Sequence, residues 1–176
     1  MRVGDVLHAQ HNLVDSLQTQ RKGLDIIRAL AASDAHNTRW RRDLSTSLAK
    51  VGDVLNAQGD SSRALVAYRE GLDIMRALCR QDPSEAGWRR ELSAILARLG
   101  DLLLAENKFE DALTAYRESL DIMRALSGMD PDNTQWHTDK VLSLWRLALI
   151  ADDARARWSE ALGILERLKS LDRLST

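Results

Sequence analysis

The chain has 176 residues, of which 44% are hydrophobic and 29% charged, with a formal net charge of -1. That is long enough for one domain with a sizeable core, and the near-neutral balance excludes the basic field that nucleic acid or an anionic membrane would require. There is no apolar run near the roughly 20 residues of a membrane helix, no charged-then-apolar leader, and a single cysteine, Cys79, which points to a reducing, cytoplasmic setting.

With two prolines and nine glycines, little interrupts the chain, and long helices are the natural reading. Self-similarity organises them. Gly4-Asp5, Gly52-Asp53 and Gly100-Asp101 recur every 48 residues, as do Trp40, Trp88 and Trp136. Four helix pairs are predicted, near 2–33, 37–81, 84–129 and 133–171. The first begins inside a helix and ends on Asp25-Ile26-Ile27-Arg28-Ala29-Leu30. The second turns at Gln58-Gly59-Asp60-Ser61, where Gly59 supplies the left-handed residue that stops a helix. Beyond it, Leu65, Tyr68, Leu72, Met75 and Leu78 form one apolar stripe at spacings of three and four. The third pair follows Asp82-Pro83, a return turn whose proline suits a first helical turn. It carries Leu92, Leu96, Leu99 and Leu103, turns at Glu106-Asn107-Lys108, and continues with Leu113, Tyr116, Leu120, Met123 and Leu126. The fourth follows Asp130-Pro131. In it Trp158 and Ala161 stand 49 residues from Phe109 and Ala112, so one residue is inserted near Asp152–Arg157.

A small residue in mid first helix (Gly52, Gly100), an alanine early in the second (Ala64, Ala112) and an aromatic four residues later (Tyr68, Tyr116) resemble the tetratricopeptide repeat. The resemblance covers essentially the whole chain and implies an all-α, right-handed solenoid of helical hairpins, about 3.5 long repeats and seven to eight helices. The repeats run about 1–36, 37–83, 84–131 and 132–176 in a single domain over 1–176, part of a longer array or a multidomain protein. The family period is 34 residues. The 14 added here extend each helix by two turns, to about 20 residues and roughly 30 Å. Such long repeats look like those of large bacterial proteins, where they accompany signalling or effector domains. The first repeat departs from the pattern, with Ser16 for the alanine and Gln20 for the aromatic.

The resemblance also implies function: a scaffold that binds a protein or peptide in the concave groove of its first helices. Matching the motif places Arg2, Asp5 and His8, then Lys50, Asp53 and Asn56, then Arg98, Asp101 and Leu104, then Arg146 and Asp152 on that face. A basic column (Arg2, Lys50, Arg98, Arg146) runs beside an acidic one (Asp5, Asp53, Asp101). Two readings stay open: the charges pair among neighbouring helices and fix the stacking, or they meet a partner carrying basic residues. The alternative function is self-assembly through open terminal repeats, as the regulatory domain of a larger signalling protein.

The other chemistry-bearing residues take structural readings. The periodic tryptophans are expected to pack between hairpins, Trp145 and Trp158 break the period and are the better candidates for an exposed patch although core packing is the leading reading for them too, and Arg41-Arg42 and Arg89-Arg90 are expected to face solvent. His8 and His11 lack a suitable third ligand for a metal, and Cys79 reads as a partly buried structural thiol. With no phosphate loop, serine elbow or zinc site in the sequence, the expectation is a non-enzyme with no cofactor, no nucleic acid and no membrane, and with homo-oligomerisation open.

Overall fold

The computed structural model describes residues 3–170, and side chains from residue 14 onward. Among these the chain is all helix: α1 Val3–Ser33, α2 Thr38–Ala57, α3 Ser61–Gln81, α4 Ala86–Ala105, α5 Phe109–Met129, α6 Thr134–Ala148 and α7 Ala154–Ser170. Consecutive helices pack in pairs within two compact units, one ending at Glu91 and the other beginning at Leu92.

In the first unit α2 packs on α1 and α3. Leu48, Leu55, Tyr68, Leu72, Met75 and Leu78 are buried, so the stripe read at helical spacing is the core. At the α2–α3 crossing a Cβ on Gly52 would stand 2.6 Å from Tyr68 Cε1. The glycine is therefore required by the ring. Deeper in the crossing, Ser45 is fully buried and its Oγ donates to the Gly71 carbonyl at 2.8 Å.

The second unit repeats the scheme. Gly100 faces Tyr116 as Gly52 faces Tyr68. Ser93 takes the place of Ser45, and its hydroxyl lies 2.8 Å from that of Ser119. α6 lies over the α4–α5 hairpin, with Ser143 Oγ 3.3 Å from Ser119 Oγ. α7 packs on α6 with Ala161 and Leu168 buried.

The expected lengths hold for α2 to α5, which have 20, 21, 20 and 21 residues. α6 and α7 are shorter, at 15 and 17, and are joined by residues 149–153. The hairpin turns rest on left-handed residues, Gly59 at φ 81° and Asn107 at φ 59°.

Two expectations are corrected. The first pair is a single helix of 31 residues, α1. The position equivalent to Gly59 and Asn107 holds His11, without glycine's freedom at positive φ, and the helix continues through it. Pro83 and Pro131 lie in the turns three residues before α4 and α6 rather than in a first helical turn. Asp82 Oδ1 accepts the Ser84 N–H at 3.0 Å and Asp130 Oδ1 that of Asp132 at 3.1 Å, side-chain turns that take proline at their second position.

Candidate partner-binding face of the first helices

The first helices α2, α4 and α6 carry the residues matched to the groove. In the first unit, Asp53 is half-buried and accepts the Tyr68 hydroxyl at 2.8 Å, while Lys50 and Asn56 are exposed on the same helix. In the second, Asp101 accepts the Tyr116 hydroxyl at 2.7 Å. Its carboxylate also takes the Arg146 guanidinium in a two-point contact, Nε to Oδ1 at 2.9 Å and Nη2 to Oδ2 at 3.2 Å. Arg98 Nη1 donates to the Ala94 carbonyl at 3.2 Å, and Leu104 is half-buried. Asp152 is exposed in the α6–α7 loop. Arg2 lies outside the described residues, and so do the side chains of Asp5, His8 and His11.

The structure therefore gives the aspartates a role the spacing did not reveal. Each is the acceptor for the tyrosine that fills the hairpin crossing. Burial raises the Tyr116 phenol well above the ordinary tyrosine range, and the bond to Asp101 raises it further, so it stays a donor. At Asp101 the charge pairing is internal, between α4 and α6.

Other singled-out residues fall as follows. Trp40, Trp88 and Trp136 are half-buried rather than enclosed. They stand in the first turns of their helices, where Asn37 and Asn133 cap α2 and α6 by accepting the N–H of Trp40 and Trp136 at 3.1 Å. Trp145 and Trp158 are exposed, at 42% and 47%. Cys79 is a half-buried free thiol, pushed up by burial. The first arginine pair does not simply face solvent: Arg41 donates to Gln81 at 3.2 Å and Arg42 Nε to Glu91 at 2.8 Å. Among the described residues there is no cluster of three or more metal-ligating side chains, and no helix is long and apolar enough to cross a membrane.

Sequence reading missed the buried serines, although a signal was present. Ser45 and Ser93 stand 48 residues apart, as do their partners Gly71 and Ser119, small residues at the repeat period inside apolar stripes.

Residues 92–134 match the tetratricopeptide repeat family. Among solved structures, BtubC (BKLC) from P. vanneervenii is similar at 20% identity and a TM-score of 0.61. That match covers 92% of this chain and 59% of that one, so this chain spans less than two thirds of its length. MamA is matched over 97% of this chain and 98% of that one at 13% identity, with a TM-score of 0.31 that is too low to bear on the fold. No curated protein matches by sequence. Hairpins with small residues under a tyrosine, the repeat match on the second unit and the shared fold agree: the chain is a tetratricopeptide-like helical-repeat protein.

Proposed function

We propose that this chain is a protein-interaction module, holding a protein or peptide against the first-helix face of each unit, the one carrying Lys50, Asp53 and Asn56 on α2 and the other Arg98, Asp101, Leu104 and Arg146 on α4 and α6. The observation that carries this reading is the tyrosine-held carboxylate. Tyr116 fixes Asp101, and the fixed carboxylate grips a guanidinium at two points while its side chain stays 46% exposed. Asp53 is held by Tyr68 in the same way. Such a carboxylate is built to take an arginine or lysine, supplied by Arg146 within the chain and by a partner in exchange for it. Residence in the cytoplasm and a scaffolding role belong to the same reading.

The test is the Asp53→Lys, Asp101→Lys double variant. With the partner in hand, binding is expected to be abolished while circular dichroism retains the helices, and wild-type affinity is expected to weaken as salt rises. Unchanged affinity in the double variant would remove the site from these faces. A second reading, self-assembly, is favoured by the exposed apolar side chains of α6 and α7.

A further inference from the structure

The last described hairpin carries two apolar stripes on its outside. On α6 and its C-cap these are Leu142, Trp145 and Leu149, at 46%, 42% and 52% exposure; on α7 they are Trp158, Leu162 and Leu165, at 47%, 56% and 36%. Both follow helical spacing, so each is a continuous stripe.

The preceding hairpin shows which side this is. The counterparts of Trp145 and Leu149 are Ala97 and Asp101, and that of Leu165 is Tyr116. Ala97 and Tyr116 are buried, and Asp101 meets Arg146 of α6. Trp145 and Leu149 therefore match positions of the preceding hairpin beside its contact with α6, whereas the counterparts of Leu142 and Trp158 are exposed Ala94 and Phe109 and that of Leu162 is half-buried Leu113. The chemistry has changed there, however. Small Ala97 admits a close backbone, and bulky Trp145 does not. Leu149 has replaced the carboxylate that anchors an arginine. Elsewhere among the described residues, the exposed large apolar side chains are Val14, Ile26 and Leu30 on α1, Val66 on α3, and Phe109 and Met129 on α5; only Ile26 and Leu30 share a helical face, and no three of them form a stripe.

We infer that the α6–α7 face is a homodimer interface, in which the same face of a second copy packs on it about a two-fold axis. Two indoles and four leucines at these exposures amount to on the order of 500 Å² of apolar surface, at the upper end of what a monomer leaves in one patch. Doubled across a two-fold axis, they approach the roughly 1,000 Å² that a specific interface needs. Around the stripes the exposed Asp152, Arg155, Glu166 and Lys169 are of mixed sign, so a copy meets no uniform repulsion.

Sedimentation equilibrium of the whole chain, over a concentration series, tests this. Wild type is expected to form a dimer and to stop there. Trp145→Glu with Leu162→Glu should raise the dimer dissociation constant by at least about 100-fold, as loss of two central apolar anchors does. Because both positions are exposed, the circular dichroism of that variant should be unchanged. Leu142→Ser with Trp158→Ser serves as a second variant should the glutamates unfold the hairpin. A monomer at every concentration, growth beyond the dimer, or a variant that folds and still dimerises would overturn the assignment. The measurement uses no peptide partner, so its failure is separate from failure of the first-helix binding site.

Discussion

At the scale of single residues, the hairpin crossing is set by a glycine under a tyrosine. Gly52→Ala drives a methyl into Tyr68, a fully buried ring already tied to Asp53, and neither can move freely. A loss of about 1–3 kcal/mol is expected in urea unfolding, as for other overpacked cores. Tyr116→Phe keeps the ring and removes the bond to Asp101, which should cost about 1 kcal/mol. The same residue gives a pH signature. Its folded pKa is raised, so the stability from the neutral phenol is complete below the unfolded tyrosine value of about 10 and is lost as pH rises beyond it. Unfolding between pH 9 and 11 should therefore show a fall in stability that is smaller in Tyr116→Phe. Trp88, half-buried, is expected to lose less on change to alanine than the roughly 3 kcal/mol of an enclosed tryptophan.

At the scale of elements, the turns separate what is helical from what stops it. Gly59 and Asn107 do the same work with different residues, and asparagine does it at a cost. Asn107→Gly should stabilise by about 0.5–1 kcal/mol, measured as a shift in the thermal midpoint, whereas Gly59→Val should destabilise by at least as much. α1 shows the converse. Without such a residue at His11 its turns run on, and Leu17, Leu24 and Ala31 pack the described part of its length against α2.

At the scale of the molecule, each unit is drawn together by charge as well as by its core. Glu160 of α7 meets Arg124 of α5 at 2.7 Å and Lys140 of α6 at 3.0 Å. Burial pushes this carboxyl up, but the two cations outweigh it and hold it below the usual glutamate range. Its stabilising contribution is thus present above the unfolded value of about 4.3 and disappears as pH falls through the folded one. Glu160→Gln should cost under about 1 kcal/mol at neutral pH and flatten the acid limb of stability, because these partners are partly exposed.

The 48-residue period, the stripes and the small residues determined by themselves that the chain is an array of long helical hairpins, since core spacing and turn chemistry are local and repeat in register. They also named Gly52, Ala64 and Tyr68 as a packed set, whereas Trp145 and Trp158, for which core packing is the leading expectation, are exposed in the structure. Tertiary structure alone decided the rest. Asp53 and Asp101 are tyrosine acceptors because α3 and α5 carry those hydroxyls back across the crossing, 15 residues away in sequence. Arg146 engages Asp101 across 45 residues because α6 lies over α4. Whether a charge at a known helical position is spent inside the fold or offered outside it depends on which helix lies opposite, and periodicity within one helix does not encode that.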